Sequence, residues 1–372
     1  MSFRSPLTAS ALLFALHLAG PAAASEKLTL PGVRFDLFGG LGWGRSGEGL
    51  YLDGNESGEL ENAALAISAR HEFSTVLSGI AQVEITRSPG ETEIELDYFH
   101  LDWRPNDHST WRFGRTKQPF GIYSEFYDLG TDRPFYDLPQ SVYGPTEIVA
   151  ESLDGVSYLF RHDLAGSELR FEAYLGRVRF EASEPWEGLE EEPFSLEKET
   201  EEIDRDKTIG LRLEWQHRNG LTLGFSAFRG EDEHGGGDQE FNTALGAGVH
   251  LSWENENWLL RAEAARFEED ENLEIDAGYL EAARRFGPHW QVAARWDRSS
   301  TRVEELDLDA LGAAALGHHR DLAAGLNYWV SSGLVLKLSH HWVEGERFLA
   351  GEDGARAEEG TGMWRFGVQF LY

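Results

Sequence analysis

Apolar and polar residues alternate along most of the chain, with a period of two. In "TIGLRLEWQ", Ile209, Leu211, Leu213 and Trp215 oppose Arg212 and Glu214. "MWRFGVQFLY" sets Trp364, Phe366, Val368, Phe370 and Tyr372 on one face. Strict alternation over such lengths predicts strands with two different surroundings. About sixteen are expected, near 32–43, 60–72, 75–86, 92–103, 109–116, 153–162, 167–178, 207–217, 220–230, 243–254, 257–267, 274–285, 289–299, 319–329, 333–343 and 361–372. In the fourth the phase slips. Ile94 and Leu96 share one parity, and Phe99, Leu101 and Trp103 the other, as a bulge or a different register would produce.

The connections sort by parity. Every second one is short, as in "DLAGS", "HRNG", "ENEN" and "FGPH", and all but one of the others are long. Strands of about ten residues, tight turns at one end and long loops at the other predict an all-β fold: a closed antiparallel transmembrane β-barrel with short periplasmic turns and long extracellular loops. A sandwich also alternates, but its connections do not sort in this way. Trp43, Trp103, Trp215, Trp253, Trp258, Trp290, Trp342 and Trp364 lie near strand ends, where aromatic girdles form.

The second stripe is charged. Arg112, Arg170, Arg212, Arg261, Arg295 and Lys337 are assigned to the pore wall, together with Glu84, Glu172, Glu214, Glu263 and Asp297. So many charges need water or partners, and a barrel of sixteen strands has room for water.

Composition adds three points. The formal net charge is −32, which argues against nucleic acid as a partner. Cysteine is absent, so neither disulfides nor thiolate metal sites are available; no metal or other cofactor is expected. Arg4, the apolar run Leu7–Leu18 and the small residues around Ala24 read as a cleaved secretory signal over 1–24, leaving 25–372 as the barrel domain, exported to the cell outer membrane and surrounded by its lipid. The acidic stretch 181–206 reads as a solvated loop, with divalent-cation binding as the alternative.

One segment has no period. "GRTKQPFGIYSEFYDLGTDRPFYDLPQSVYGP", Gly114 to Pro145, carries four prolines, three basic residues and many rings. Its motifs "GRTKQPFGIYSE", "DLGTDRPF" and "LPQSVYGP" resemble the third loop of Gram-negative porins in the phosphate-selective porin O and P superfamily. "YLEAARRFGPHWQVAARWDRSS" and "LAAGLNYWVSSGLVLKLSHHW" look like that group's closing hairpins. The resemblance implies a porin, commonly a homotrimer, whose third loop (about 116–152) folds into the lumen. Such a channel would pass small hydrophilic solutes and ions by diffusion, with a lean toward phosphate or small organic anions. It assigns the constriction to Arg115, Lys117 and Arg133, then Tyr123, Glu125, Asp128 and Tyr143. The loop departs from the superfamily in lacking a lysine-rich cluster, since Lys117 is its one lysine.

Two other functions are weighed. A barrel hydrolase would need a nucleophile, base and orienting group in contact. Ser339, His340 and His341 are suggestive, but Ser339 and His340, adjacent on a strand, point to opposite faces. A structural or adhesive barrel would need a plug, and the 116–152 loop is too small to fill sixteen strands.

Overall fold

The computed structural model describes residues 32–47, 51, 60–88, 91–124, 129–146, 148–150, 152–183, 200–233, 241–270, 273–303, 317–345 and 361–372. The expected leader and most of the acidic stretch 181–206 lie outside these.

Sixteen antiparallel strands close into one barrel. They are β1 (Val33–Ser46), β2 (Leu60–Glu72), β3 (Leu77–Ser88), β4 (Glu91–Asn106), β5 (Ser109–Thr116), β6 (Ser152–Leu164), β7 (Ser167–Ser183) and β8 (Thr200–His217), followed by β9 (Leu221–Glu233), β10 (Phe241–Glu254), β11 (Trp258–Glu269), β12 (Leu273–Phe286), β13 (Trp290–Val303), β14 (His318–Ser331), β15 (Leu334–Glu344) and β16 (Thr361–Leu371). Each pairs with its sequence neighbours, and β1 pairs with β16. The seam is sealed by reciprocal bonds: Leu37 N donates to Tyr372 O (2.9 Å) and Tyr372 N to Leu37 O (2.7 Å). Closure leaves no strand edge, as hydrocarbon requires.

The slip in the fourth strand is a bulge. Val83 pairs with Leu96 and Gln82 with Tyr98, so Asp97 is the extra residue. Both flanking segments keep their apolar side chains outward, and Asp97 is buried.

β7 and β8 run further than the alternation of apolar residues suggests. Beyond Leu175 and Ile209 the outward positions are charged, while the ladder continues through Arg179 opposite Asp204. Apolar spacing marks where lipid contact ends, not where hydrogen bonding ends.

The outward stripe is apolar through the middle, with Ile94, Leu175, Ile209, Val249 and Leu280 all more than half exposed. Trp103, Trp111, Trp258 and Trp290 flank it at the short-turn end, and Trp342 and Trp364 at the other. Toward the long loops the outward stripe becomes a belt of cross-strand ion pairs. Arg115 donates to both oxygens of Asp154 (2.8 and 2.9 Å), and Arg177 pairs with Asp206. Arg179 meets Asp204 at 3.1 Å, Arg302 bridges Glu274 and Asp276, and Arg320 holds Glu344.

The third loop enters the lumen after β5. It contains a 3-10 turn (Gly130–Asp132) and a short helix, α1 (Gln140–Tyr143). Phe120, Ile122, Val142 and Ile148 are buried in one cluster with Phe180, Phe228, Phe267 and Ile275 of the wall. The loop therefore has an apolar core of its own, formed against one side of the barrel.

Candidate functional site

The loop leans on the inner wall of β9–β16 and on Tyr174 and Phe180 of β7, and wall side chains hold its backbone. Lys337 Nζ donates to the carbonyls of Gly130 (2.6 Å), Arg133 (2.5 Å) and Phe135 (3.1 Å). Arg295 donates to Asp137 O (2.8 Å), Asn327 to Pro134 O (2.7 Å) and Arg261 to Asp132 O (3.2 Å). A chain with four prolines and no ladder leaves carbonyls without partners. At membrane depth these must be satisfied by protein or water, and here cationic and amide side chains satisfy them.

The rings act as pegs. Phe135 lies under the Arg295 guanidinium (4.6 Å to centroid) and Tyr136 under that of Arg365 (4.7 Å). Tyr136 rests on strand glycines: a Cβ added at Gly367 would stand 2.0 Å from its ring. Tyr123 OH donates to Glu281 (2.6 Å) and accepts from Arg261 (2.8 Å). Tyr143 OH donates to Glu263 (2.7 Å) and accepts from the amides of Ile122 and Tyr123. Burial pushes both phenols above the ordinary tyrosine range, and the neighbouring carboxylates, Glu281 and Glu263, push the same way.

This placement corrects the expected pore wall. Arg295 and Lys337 are buried beneath the loop as anchors. Arg261 is also buried and bonded to the loop, and borders a smaller compartment under it. Alternation showed that these side chains point inward, but not that a loop covers them. Arg112 and Arg170 do line open lumen, a cavity of about 1310 Å³ on the opposite side, against β1–β8, and Arg212, itself buried and bonded to Glu214, borders it. Arg70, Arg104 and Arg161 join them there, and the lining holds seven arginines or lysines against five carboxylates.

The constriction residues separate. Lys117 lines the large cavity, with Nζ 2.8 Å from Asp97. Glu84, Glu95 and Asp97 bring carboxylate oxygens within 4.8 Å of one another beside it. Tyr123 and Tyr143 are buried pegs, and Arg133 borders the smaller compartment. Glu125 and Asp128 lie outside the described residues. Arg115 is a correction. It shares the outward parity of Trp111 and Phe113, stands opposite Phe99 and Asp154, and pairs with Asp154. Its neighbour Arg112, three residues earlier, faces inward, so the alternation itself carried this signal.

Above the loop, Ser339 meets His341 rather than His340, together with Asp321 and Tyr51, which the sequence did not single out. Ser339 Oγ lies 3.0 Å from His341 Nε2, and His341 Nδ1 lies 2.7 Å from Asp321. Tyr51, from the first long loop, donates to the same carboxylate (3.2 Å) and meets the His319 and His341 rings. His340 faces outward between Trp342 and Trp364, as its parity requires. The spacing that brings Ser and His together on a strand is two, not one.

No family model matches the sequence, and no curated protein matches it. Solved structures do. An outer membrane channel of Acinetobacter baumannii, DcaP, superimposes with a TM-score of 0.59 over 91% of this chain and 97% of its own, at 10% identity. An anion-selective porin from Comamonas acidovorans gives 0.57, over 91% of this chain and all of its own, at 11% identity. OmpT, an outer membrane protein of Vibrio cholerae in a trimer form, gives 0.57 over 92% of this chain and all of its own, at 10% identity. The fold is that of the outer-membrane porins. At these identities the likeness concerns the fold.

Proposed function

We propose that this chain is an outer-membrane porin: a water-filled channel for passive diffusion of small hydrophilic solutes and ions, leaning toward anions. The observation that carries the reading is the large cavity beside the third loop, walled by inward charges inside a barrel with an apolar exterior. A closed apolar exterior around wet, charged space is a pore. The anionic lean rests on the basic surplus of that lining in a protein of net charge −32. Lys117, Arg112 and Arg212 are its foremost charges. Phosphate or small organic anions are the solutes this supports. Membership of the porin O and P superfamily rests on the motifs of Gly114–Pro145. Assembly as a homotrimer rests on that resemblance and on the trimer form of a structural neighbour.

Planar-bilayer recording of the purified full chain tests this. Ohmic conductance steps are expected, with a reversal potential in a salt gradient on the anion side. Silent bilayers at protein amounts that insert would refute the channel. A cation-side reversal would refute the lean.

One observation favours a hydrolase as a second reading: Ser339, His341 and Asp321 stand in the order nucleophile, base and orienting carboxylate. Ser339 is buried and borders neither cavity described. Ester hydrolysis lost in Ser339→Ala would support this reading; no hydrolysis by the wild type would remove it.

A further inference from the structure

Among the described residues, two cavities beside the loop share no lining residue. The smaller, about 380 Å³, lies on the short-turn side of the loop, between the Thr131–Pro134 segment and the inner wall of β10–β14. That volume is in the range of small-ligand pockets. Unlike the large cavity, it is roofed by backbone that Lys337 and Asn327 hold in place through the carbonyls of Arg133 and Pro134.

Its lining contains donors without acceptors. Arg133 Nε and Trp329 Nε1 are both buried with no hydrogen-bond partner. Arg285 places its guanidinium over the Trp329 ring, 5.5 Å from the centroid, and among the described residues its side chain has no ion pair. A stacked guanidinium keeps its in-plane N–H groups available for a carboxylate. Arg261, the third arginine of the lining, is already bonded to the loop. Asp132 and Glu254 also line the compartment, leaving three arginines against two carboxylates. This balance favours a single negative charge over a multiply charged ion.

We propose that this compartment is a binding site for a small organic anion with one carboxylate and a flat body. The carboxylate meets the Arg133 and Arg285 guanidiniums, both of which line the compartment. The flat body lies against the Arg285–Trp329 stack and Leu259. The site is a pocket beside the conduction path, so its occupancy is independent of whether the large cavity conducts.

Isothermal titration of the full chain in detergent with benzoate tests the site, with benzamide as the uncharged analogue of the same shape. Benzoate should bind and benzamide should not. Arg133→Gln and Arg285→Gln should each weaken benzoate at least tenfold, while Arg320→Gln on the outer face should leave it unchanged. Heat-modifiable migration on gels establishes that each variant is folded. Arg285→Gln, at an exposed strand end, is the variant least coupled to the loop. The proposal is overturned if benzoate fails to bind, if benzamide matches it, or if folded Arg285→Gln keeps wild-type affinity. None of these outcomes depends on conductance, so the channel reading stands or falls separately.

Discussion

Replacing Lys337 by methionine should release the third loop while leaving the barrel closed. Lys337 is almost fully buried, at 3% exposure, and spends three donors on three loop carbonyls. Methionine fills similar volume and donates nothing. The Gly130 carbonyl keeps one bond, from Arg133 N at 3.2 Å. Those of Arg133 and Phe135 lose the donor that Lys337 gave them. An orphaned buried carbonyl costs roughly 1–3 kcal/mol, so two cost roughly 2–6 kcal/mol. Removing a buried ammonium offsets part of this, because its own desolvation is unfavourable. A net loosening of about 2–4 kcal/mol is expected, confined to the loop, since the strand ladders are untouched. Hydrogen exchange reads it directly: at 1.4 kcal/mol per tenfold, amides near the 3-10 turn should lose roughly 30- to 700-fold in protection. Amides of β14 and β16 should be unchanged. Wild-type protection of the loop in a folded Lys337→Met barrel would refute the view that this side chain seats it.

Three further outcomes follow from the same geometry. Gly367→Val should displace Tyr136, because the added Cβ would stand 2.0 Å from the ring; altered single-channel conductance with an unchanged circular dichroism spectrum would report it. Lys117→Ala should move the reversal potential toward cations and Arg115→Ala should not, since the first lines the lumen and the second pairs with Asp154 outside it; a reversed ranking in a salt gradient would contradict the assigned parity. Tyr123 and Tyr143 have folded-state pKa values raised by burial, so their contribution to holding the loop is intact below the ordinary tyrosine pKa near 10 and is lost as pH rises through the folded values. Ultraviolet titration of wild type against Tyr123→Phe should show the missing phenol only in the strongly alkaline part of the curve.

The barrel was legible because alternation is a direct record of two surroundings. All sixteen strands appear where Ile209, Leu211 and Leu213, and runs like theirs, predict them, and even the Asp97 bulge left a phase slip. The third loop was legible by contrast, as the one segment without a period. What alternation could not encode is which wall the loop covers. Arg212 and Arg295 read alike on their strands, yet one borders open lumen and the other lies under Phe135. That distinction depends on contacts between residues more than a hundred positions apart. Arg115 is different. Its outward parity was written in Trp111 and Phe113, and a motif resemblance outweighed it. Ser339 and His341 share a face at a spacing of two, but their partner Asp321 comes from the neighbouring strand, twenty positions away, and nothing local in the sequence marks it.

The belt of outward ion pairs bears on how such a barrel enters a bilayer. Its residues sit at the end that must cross the whole hydrocarbon layer when strands insert from the short-turn side. A lone arginine on the lipid face costs roughly 2–4 kcal/mol at midplane. Arg115 with Asp154 and Arg177 with Asp206 join neighbouring strands, so each cation acquires its counter-charge only when those strands zip together. If neighbouring strands pair before their tips cross, these charges would travel as neutral pairs rather than singly. The belt would therefore lower the charge cost of inserting strands that are already paired.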